Sequence, residues 1–400
     1  MLLRNGDLRW SIEPYGTAED TGKARALLGR AAAAGDAEAA RAIAELDRHV
    51  APSKRKPAPE WAARVRPATA SSDGSPAAGE ISASLALLQA TQRGLLEAAE
   101  QALARGADAD ARDADGNTPL MLAAAAGHDK MVARLIEANG EANAANTKGD
   151  TALLIAARAG HAAVAARLLA AHAKPALANA GGETAASVAV RGCHVETARV
   201  LLAGTPVPLS DREGLSPLHR AAESCGVELV ALLVAKGAPL DDVDRNGRTA
   251  LWHAADRGEV AVVELLLAKG SSVAAADRGG DTALHRASVG GHAAVARLLV
   301  AAGAVVDHPN AVGNTPLLLA AHVGAEPVVE VLQAKRADLD HRNRLGMSAL
   351  MLAASAEREP VVRQLLAAGA DRGLRNMRRE QAVDLARASG HEALAAQLAE

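Results

Sequence analysis

Aromatic side chains are scarce in this chain of 400 residues, which contains no Phe, one Tyr and three Trp. Proteins that bind RNA or single-stranded DNA stack the bases on aromatic side chains. The chain also lacks the basic excess of a nucleic-acid binder, since 44 Lys and Arg stand against 47 Asp and Glu. The composition therefore argues against a nucleic-acid partner.

Cysteine and long apolar runs are scarce as well. Two cysteines in a chain of this length argue against a disulfide scaffold. The first residues, MLLRNGDLRW, reach a charge at Arg4 and lack the apolar core of a secretory signal. No apolar run approaches the length of a membrane span. We therefore expect a soluble protein in a reducing compartment, the cytoplasm, with no membrane contact.

The abundant feature is repetition. A glycine recurs every 33 residues, with one step of 32, and Arg379 takes the ninth position in register; the glycines are Gly116, Gly149, Gly182, Gly214, Gly247, Gly280, Gly313 and Gly346. Three residues before each position stands an Asp or Asn: Asp113, Asn146, Asn179, Asp211, Asp244, Asp277, Asn310, Asn343 and Asn376. Short Asx side chains bond nearby backbone N–H groups and Gly tolerates a positive φ, so each unit is predicted to contain a hairpin turn.

A pair of helices is predicted after each turn. Two residues beyond the glycine comes Ser or Thr, as at Thr118, a natural N-cap, and Pro119, Pro217 and Pro316 occupy first helical positions. A leucine and an alanine pair follow, and then a corner glycine such as Gly127 stops the helix. Segments such as MVARLIEA then carry the apolar period of a second helix.

This pattern resembles the ankyrin repeat in its T-P-L-H-like starts, its Gly-His corners and endings such as LLAAGAD at 365–371. The resemblance covers about 82–400 and about ten units, including degenerate caps. It implies an all-α fold, an α-solenoid with a helix-turn-helix and a β-hairpin finger in each repeat. It also implies a surface for protein partners, formed by the hairpin tips and the concave face of the first helices.

One copy departs from the pattern. In the third full copy Ala186 replaces the leucine and Val190 replaces the second alanine, and the deletion follows in AGTPVPLS. Because each repeat of a solenoid rests only on its neighbours, residues 182–213 are predicted to be the weakest part of the array.

The chain before the array divides into two segments. Residues 1–50 include two amphipathic helical stretches at 17–48 that resemble one αα unit of the tetratricopeptide-related, Sel-one-like class. This unit is either the stub of a longer array or a module that docks elsewhere. Residues 51–80, rich in Pro, Ser and Ala, are predicted to be a disordered linker, and residues 81–400 to be the array. The linker's basic cluster at 54–56 is read either as solvated charge or as an address.

No pattern of catalytic, metal or cofactor chemistry is found. One column of histidines, His128, His161, His194, His292 and His391, recurs once per repeat, so its members occupy equivalent places and do not converge on a metal. Cys193 and Cys225 both occupy the corner position. Since stacked helices lie roughly 8–10 Å apart and a disulfide needs Cα atoms within about 7 Å, the two cysteines are expected to stay reduced and unbridged.

A candidate partner site lies in the central repeats. The position after the T-P-L-H motif is apolar in most copies but is Arg220, His253 and Arg286 in three consecutive ones. Together with nearby tip and inner-helix residues, the candidate set is Arg212, Arg220, Glu223, Arg245, Arg248, His253, Asp256, Arg257, Arg278 and Arg286. Two interpretations stand: the arginine stems only cover apolar surface, or the band binds an acidic segment of a partner.

The sequence therefore predicts a non-catalytic, monomeric scaffold that binds a partner protein. The alternative is an immunity protein, inhibitor or accessory subunit of an enzyme, or a secreted effector that acts in a host. High alanine content and the accompanying αα unit favour a bacterial origin.

Overall fold

The computed structural model describes residues 3–4, 7–8, 78–204, 207 and 214–399. Near the amino terminus, strands β1 (Leu3–Arg4) and β2 (Asp7–Leu8) pair antiparallel, with Leu3 opposite Leu8. The predicted αα unit at 17–48 and the predicted linker as far as residue 77 lie outside the described residues. The array is described by itself below.

The described array consists of helices in consecutive pairs. The first helix begins at Ala78, three residues before the predicted start of the array. The pairs are α1 (Ala78–Arg93) and α2 (Leu96–Ala104), α3 (Pro119–Ala126) and α4 (Asp129–Glu137), α5 (Ala152–Ala159) and α6 (Ala162–Ala170), α7 (Ala185–Arg191) and α8 (Val195–Leu201), α9 (Pro217–Ser224) and α10 (Val227–Ala235), α11 (Ala250–Arg257) and α12 (Val260–Ala268), α13 (Ala283–Val289) and α14 (Ala293–Ala301), α15 (Pro316–Val323) and α16 (Glu326–Ala334), α17 (Ala349–Ser355) and α18 (Glu359–Ala367), and α19 (Ala382–Ala388) and α20 (Glu392–Ala399). The all-α solenoid expected from the sequence is confirmed.

The predicted Asx turns shape the hairpin fingers. In each of the eight fingers whose Asx residue is described, the side-chain oxygen accepts from backbone N–H groups two and four residues ahead, as Asp113 does from Asp115 and Asn117 at 2.9 and 2.8 Å. Asp211 lies outside the described residues. The glycine column has φ between 74° and 81°, a region that favours glycine. Neighbouring fingers are hydrogen-bonded at their tips, where the Arg278 N–H donates to the Asn246 carbonyl at 2.8 Å.

Hydroxyl side chains begin the first helix of most pairs. The Thr151 Oγ1 accepts from the Leu154 N–H at 3.3 Å, and Thr118, Thr184, Ser216, Thr249, Thr315 and Ser348 do the same for their helices. These caps satisfy backbone donors that have no partner inside the helix. The hydroxyl column of the sequence therefore positions each helix start.

The core runs along the whole array. The leucine column, Leu120, Leu153, Leu218, Leu251, Leu284, Leu317 and Leu350, is at most 1% exposed. The alanines that follow are fully buried, and their lack of bulk lets the first helices of neighbouring pairs pack against one another. Each pair buries its apolar face only against adjacent pairs, as expected of a repeat array.

The third full repeat has a shorter second helix and a smaller side chain at the leucine position than its neighbours. Its second helix, α8, has 7 residues, whereas α6 and α10 have 9 each. Ala186 is 5% exposed and Val190 is 2% exposed, so both replacements lie in the core. That this repeat is the weakest remains a prediction.

The expectation for the cysteines is wrong. Cys193 and Cys225 form a disulfide, with their Cα atoms 4.9 Å apart. The estimate from helix spacing fails because neither residue lies inside a helix: Cys225 is the C-cap of α9, and Cys193 follows Gly192, the C-cap of α7. At the corners the chain turns away from the helix axis towards the adjacent repeat, so the backbones approach more closely than the axes do.

Candidate partner-binding site

The candidate residues differ in their exposure. Arg245 and Arg278 are exposed at the tips of neighbouring fingers, and Arg257 is exposed at the end of α11. Arg220, Glu223, Arg248, Asp256 and Arg286 are half-buried, and Arg212 lies outside the described residues. His253 is only 6% exposed, so it does not present a ring to a partner as the sequence pattern implied.

Most of the cations are paired with carboxylates of the array itself. Arg286 donates to Asp256 from Nε at 2.9 Å and from Nη2 at 2.7 Å, and its Nη1 lies 3.7 Å from Asp281. Arg257 Nη2 donates to Glu223 at 2.6 Å. Both pairs join first helices of adjacent repeats, so the band is less basic than a count of its arginines implies.

A buried carboxylate organises the centre of the band. Arg248 Nε donates to Asp244 Oδ2 at 2.8 Å, and His253 Nε2 lies 3.3 Å from the same oxygen. Burial raises the pKa of Asp244, but hydrogen bonds from the Arg248 and Asn246 backbones and the Arg248 charge outweigh it and lower the pKa overall. Burial, His219 and Arg248 lower the pKa of His253 despite the Asp244 contact, so we treat this histidine as neutral.

Trp252 lies between two arginines. The guanidinium carbon of Arg248 is 5.1 Å from the centre of the Trp252 ring, and that of Arg286 is 5.0 Å from it, both within cation–π range. The indole is 7% exposed, and its Nε1 has no hydrogen-bond partner among the described residues. The sequence argument missed Trp252. Its signal was present, because Trp252 occupies the motif position that His219 and His285 hold in the adjacent repeats.

Those two motif histidines bridge repeats. His219 Nδ1 accepts from the Ser216 N–H at 3.0 Å, and its Nε2 lies 3.0 Å from the Asp242 carbonyl and 2.9 Å from the Arg248 carbonyl. An Nδ1 that accepts and an Nε2 that donates describe one neutral tautomer. Burial lowers the pKa of His219, in keeping with that tautomer.

Three corner histidines bond the backbone of the preceding repeat. The Nε2 atoms of His161, His194 and His292 lie 3.2, 3.1 and 3.1 Å from the carbonyls of Ala125, Arg158 and Asp256. Within the described part of the chain, no three His, Cys, Asp or Glu side chains are grouped as metal ligands. The histidine column therefore has a structural role in joining corners.

Ser216 Oγ lies 2.8 Å from His219 Nδ1, and Thr282 Oγ1 lies 2.9 Å from His285 Nδ1. All four residues are buried and cap helix starts, so these hydroxyl–imidazole pairs have a structural role. Among the described residues no ion pair includes Arg245 or Arg278, so these two tips present the uncompensated cations beside the Arg248–Trp252–Arg286 stack. Among the same residues, no helix is both long enough and apolar enough to cross a bilayer.

A family model described as ankyrin repeats (3 copies) matches residues 87–179, 165–244, 228–310 and 305–376. The chain belongs to the ankyrin repeat family. The matches run without a gap from the second half of α1 to the last described finger, and they include every candidate site residue. No curated protein matches the sequence. Ankyrin repeats are generally protein–protein interaction modules, and membership of the family indicates this class of function for the array.

Proposed function

We propose that the protein is a non-catalytic scaffold whose central ankyrin repeats bind an acidic segment of a partner protein. The observation that carries the proposal is the pair of exposed tip arginines, Arg245 and Arg278, on neighbouring hydrogen-bonded fingers. Complementary charge speeds association and excludes wrong partners. The partner's carboxylates would meet these two tips first.

The stack below the tips supports the same site. Arg is enriched among the residues that dominate interface energies. Trp252 is buried, so it supports the site by holding two half-buried arginines and not by contacting a partner. Trp252 is held by Arg248 and Arg286, which are themselves fixed by Asp244 and Asp256. The stack is therefore ordered before a partner arrives, which lowers the entropic cost of binding.

The test is a comparison of two charge-reversed proteins. In Arg245→Glu/Arg278→Glu the exposed tip charges are inverted without breaking a described ion pair. In the matched control, Arg297→Glu, an exposed charge on the outer helix α14 is inverted. Affinity capture with the unaltered protein, followed by mass spectrometry, supplies the partner, and the purified pair is then titrated at two salt concentrations.

We expect the double variant to bind about tenfold more weakly, because exposed pairs contribute roughly 0.2–1 kcal/mol each and reversal adds repulsion. Its binding should also lose salt dependence, while Arg297→Glu should bind normally. If all three proteins bind equally well, the tip arginines are solvated and do not contribute to partner binding. Reversal of Arg286 is a poorer test, because Arg286 pairs with Asp256 and lies 3.7 Å from Asp281, so its loss is expected to disturb the fold.

A second candidate function is favoured by the disulfide. Stable disulfides are typical of oxidising compartments, and the bond between Cys193 and Cys225 therefore favours a secreted effector over the cytoplasmic scaffold expected from the sequence. Fractionation of the producing cells, with the protein traced in medium and cytoplasm, distinguishes the two.

A further inference from the structure

The junction between the third and fourth full repeats lacks a histidine bridge, as do the corners at Glu259, Ala325 and Arg358. His161, His194 and His292 join their corners to the preceding repeat through backbone carbonyls. In the fourth repeat the equivalent position is Gly226, which has no ring. The corner of this repeat is therefore joined to the third by something other than a histidine.

The two cysteines occupy this junction. Both stand in the corner column that most other repeats fill with glycine and one fills with Glu357, and they are the only cysteines of the chain. Cys193 has φ +57°, a left-handed conformation that is unfavourable for a non-glycine residue. Gly127 and Gly160 adopt the same conformation without that cost, at φ +71° and +79°. The two cysteines that replace glycine at adjacent corners are therefore the residues that form the disulfide.

The disulfide lies at the corner of the third full repeat, whose second helix is shorter than those of the adjacent repeats. The α8 helix is two residues shorter than those of its neighbours, and Ala186 fills a leucine position in the core. A repeat with less buried apolar surface opens more readily. A covalent link between its corner and the next repeat opposes that opening.

Each sulfur of the disulfide lies near a backbone carbonyl across the junction. The Sγ of Cys225 lies 3.5 Å from the Val190 carbonyl, and the Sγ of Cys193 lies 3.7 Å from the Ser224 carbonyl. A thiol can donate weakly to each carbonyl once the sulfur–sulfur bond is broken. Both cysteines are half-buried, so a small thiol reagent can reach them. The corner therefore accommodates both redox states.

We propose that Cys193 and Cys225 form a reversible thiol–disulfide site that exchanges with small thiols and disulfides and that controls local opening of the third repeat. In closing, one cysteine thiolate attacks a small-molecule disulfide and releases one thiol, forming a mixed disulfide. The second cysteine thiolate then attacks the cysteine sulfur of this mixed disulfide and releases the second small-molecule thiol. Two protein thiols are oxidised, one disulfide is reduced, and the two protons released by the cysteines are taken up by the departing thiolates.

The effect on opening follows from the length of chain that the bond encloses. The two cysteines are 32 residues apart, and both α8 and α9 lie between them in the chain. A cross-link restricts the opened segment and leaves the closed one unaffected. We expect the oxidised protein to open this segment about 30-fold less often than the reduced one, the equivalent of about 2 kcal/mol, the lower end of the usual range.

The test uses the purified full-length protein in buffers of reduced and oxidised dithiothreitol. Alkylation and intact mass give the fraction oxidised, and hydrogen exchange is measured for peptides covering 185–201. Peptides covering 283–301, in a regular pair, serve as the internal reference. Oxidation should remove two hydrogens from the monomer and slow exchange at 185–201 about 30-fold, with the reference unchanged.

Two variants separate the bond from other effects of the reagent. Cys225→Ser keeps the side-chain size and loses the bond, and Cys193→Gly restores the residue common at this corner. Exchange in both should be insensitive to dithiothreitol. The proposal is overturned if both thiols of the unaltered monomer remain alkylatable under oxidising conditions, or if the bond forms between two chains. It is also overturned if the bond forms and exchange at 185–201 does not change. None of these readouts requires the partner, so failure here leaves the proposed function standing.

Discussion

Replacing the corner glycine Gly258 by alanine tests how the histidine bridges hold neighbouring repeats together. Gly258 caps α11 with φ +73°. A Cβ added there would lie 2.5 Å from Nδ1 and 2.7 Å from Cε1 of His292, whose Nε2 bonds the Asp256 carbonyl at 3.1 Å. The ring would have to move, and its hydrogen bond across the junction would be lost.

The expected loss has two parts. The left-handed conformation costs alanine about 1–2 kcal/mol, and the lost hydrogen bond about 0.5–1.5 kcal/mol. Gly291→Ala isolates the first part, because Gly291 has φ +70° while the nearest atom to its added Cβ is Ala325 Cβ at 3.8 Å. Gly258→Ala should therefore destabilise the array by about 1 kcal/mol more than Gly291→Ala does.

Trp252 gives a local reading of this difference. With Trp10→Phe and Trp61→Phe it is the sole Trp, and it lies in α11, the helix that Gly258 ends. Urea titrations followed by its fluorescence give the free energy of local unfolding for each variant. A second set in a His292→Ala background completes a double-mutant cycle.

In the His292→Ala background the two alanine variants should cost the same, because the ring that clashes is gone. Equal costs with His292 present would refute the reasoning, since the bridge would then contribute nothing at this junction.

Three further measurements follow from the structure. Arg336 is exposed with φ +61°, in a column held by glycine in neighbouring repeats, so Arg336→Gly should stabilise the array by about 1 kcal/mol in thermal unfolding. Burial lowers the pKa values of His219, His253 and His285, so the unfolded chain binds protons first; the free energy of unfolding should fall as pH drops below their ordinary value of 6.5 and level off below the folded pKa values. Under reducing conditions residues 185–201 should exchange amide hydrogens before the other described helix pairs; slower exchange there than at regular pairs would contradict the assignment of a weak repeat.

Features set by neighbouring residues could be predicted from the sequence. The Asp113 turn is closed by hydrogen bonds to Asp115 and Asn117, and the Thr118 cap by one to Met121. Such contacts lie within four residues of each other, so the residue pattern alone specifies them. Repetition then placed the leucine column in the core.

Contacts between repeats could not be predicted in the same way. The sequence pattern places Arg286 in a basic band but does not reveal its partner, Asp256, 30 residues earlier, which pairs with it across the junction. The pattern places His253 on the candidate binding face, but its ring is buried beside Asp244. The pattern gave the position of each residue within its own unit, whereas pairing depends on the distance between side chains of adjacent units.

The disulfide also sets a mechanical property of the array. When a repeat array is pulled from its ends, each unit that detaches adds its whole contour length to the tether. The sequence separation of 32 between Cys193 and Cys225 corresponds to about 110 Å of extended chain, at roughly 3.5 Å per residue. With the bond closed, force passes through the two sulfur atoms and that length cannot be released. The oxidised protein is therefore a shorter tether at full extension, and the step missing from its extension trace marks the unit that is held.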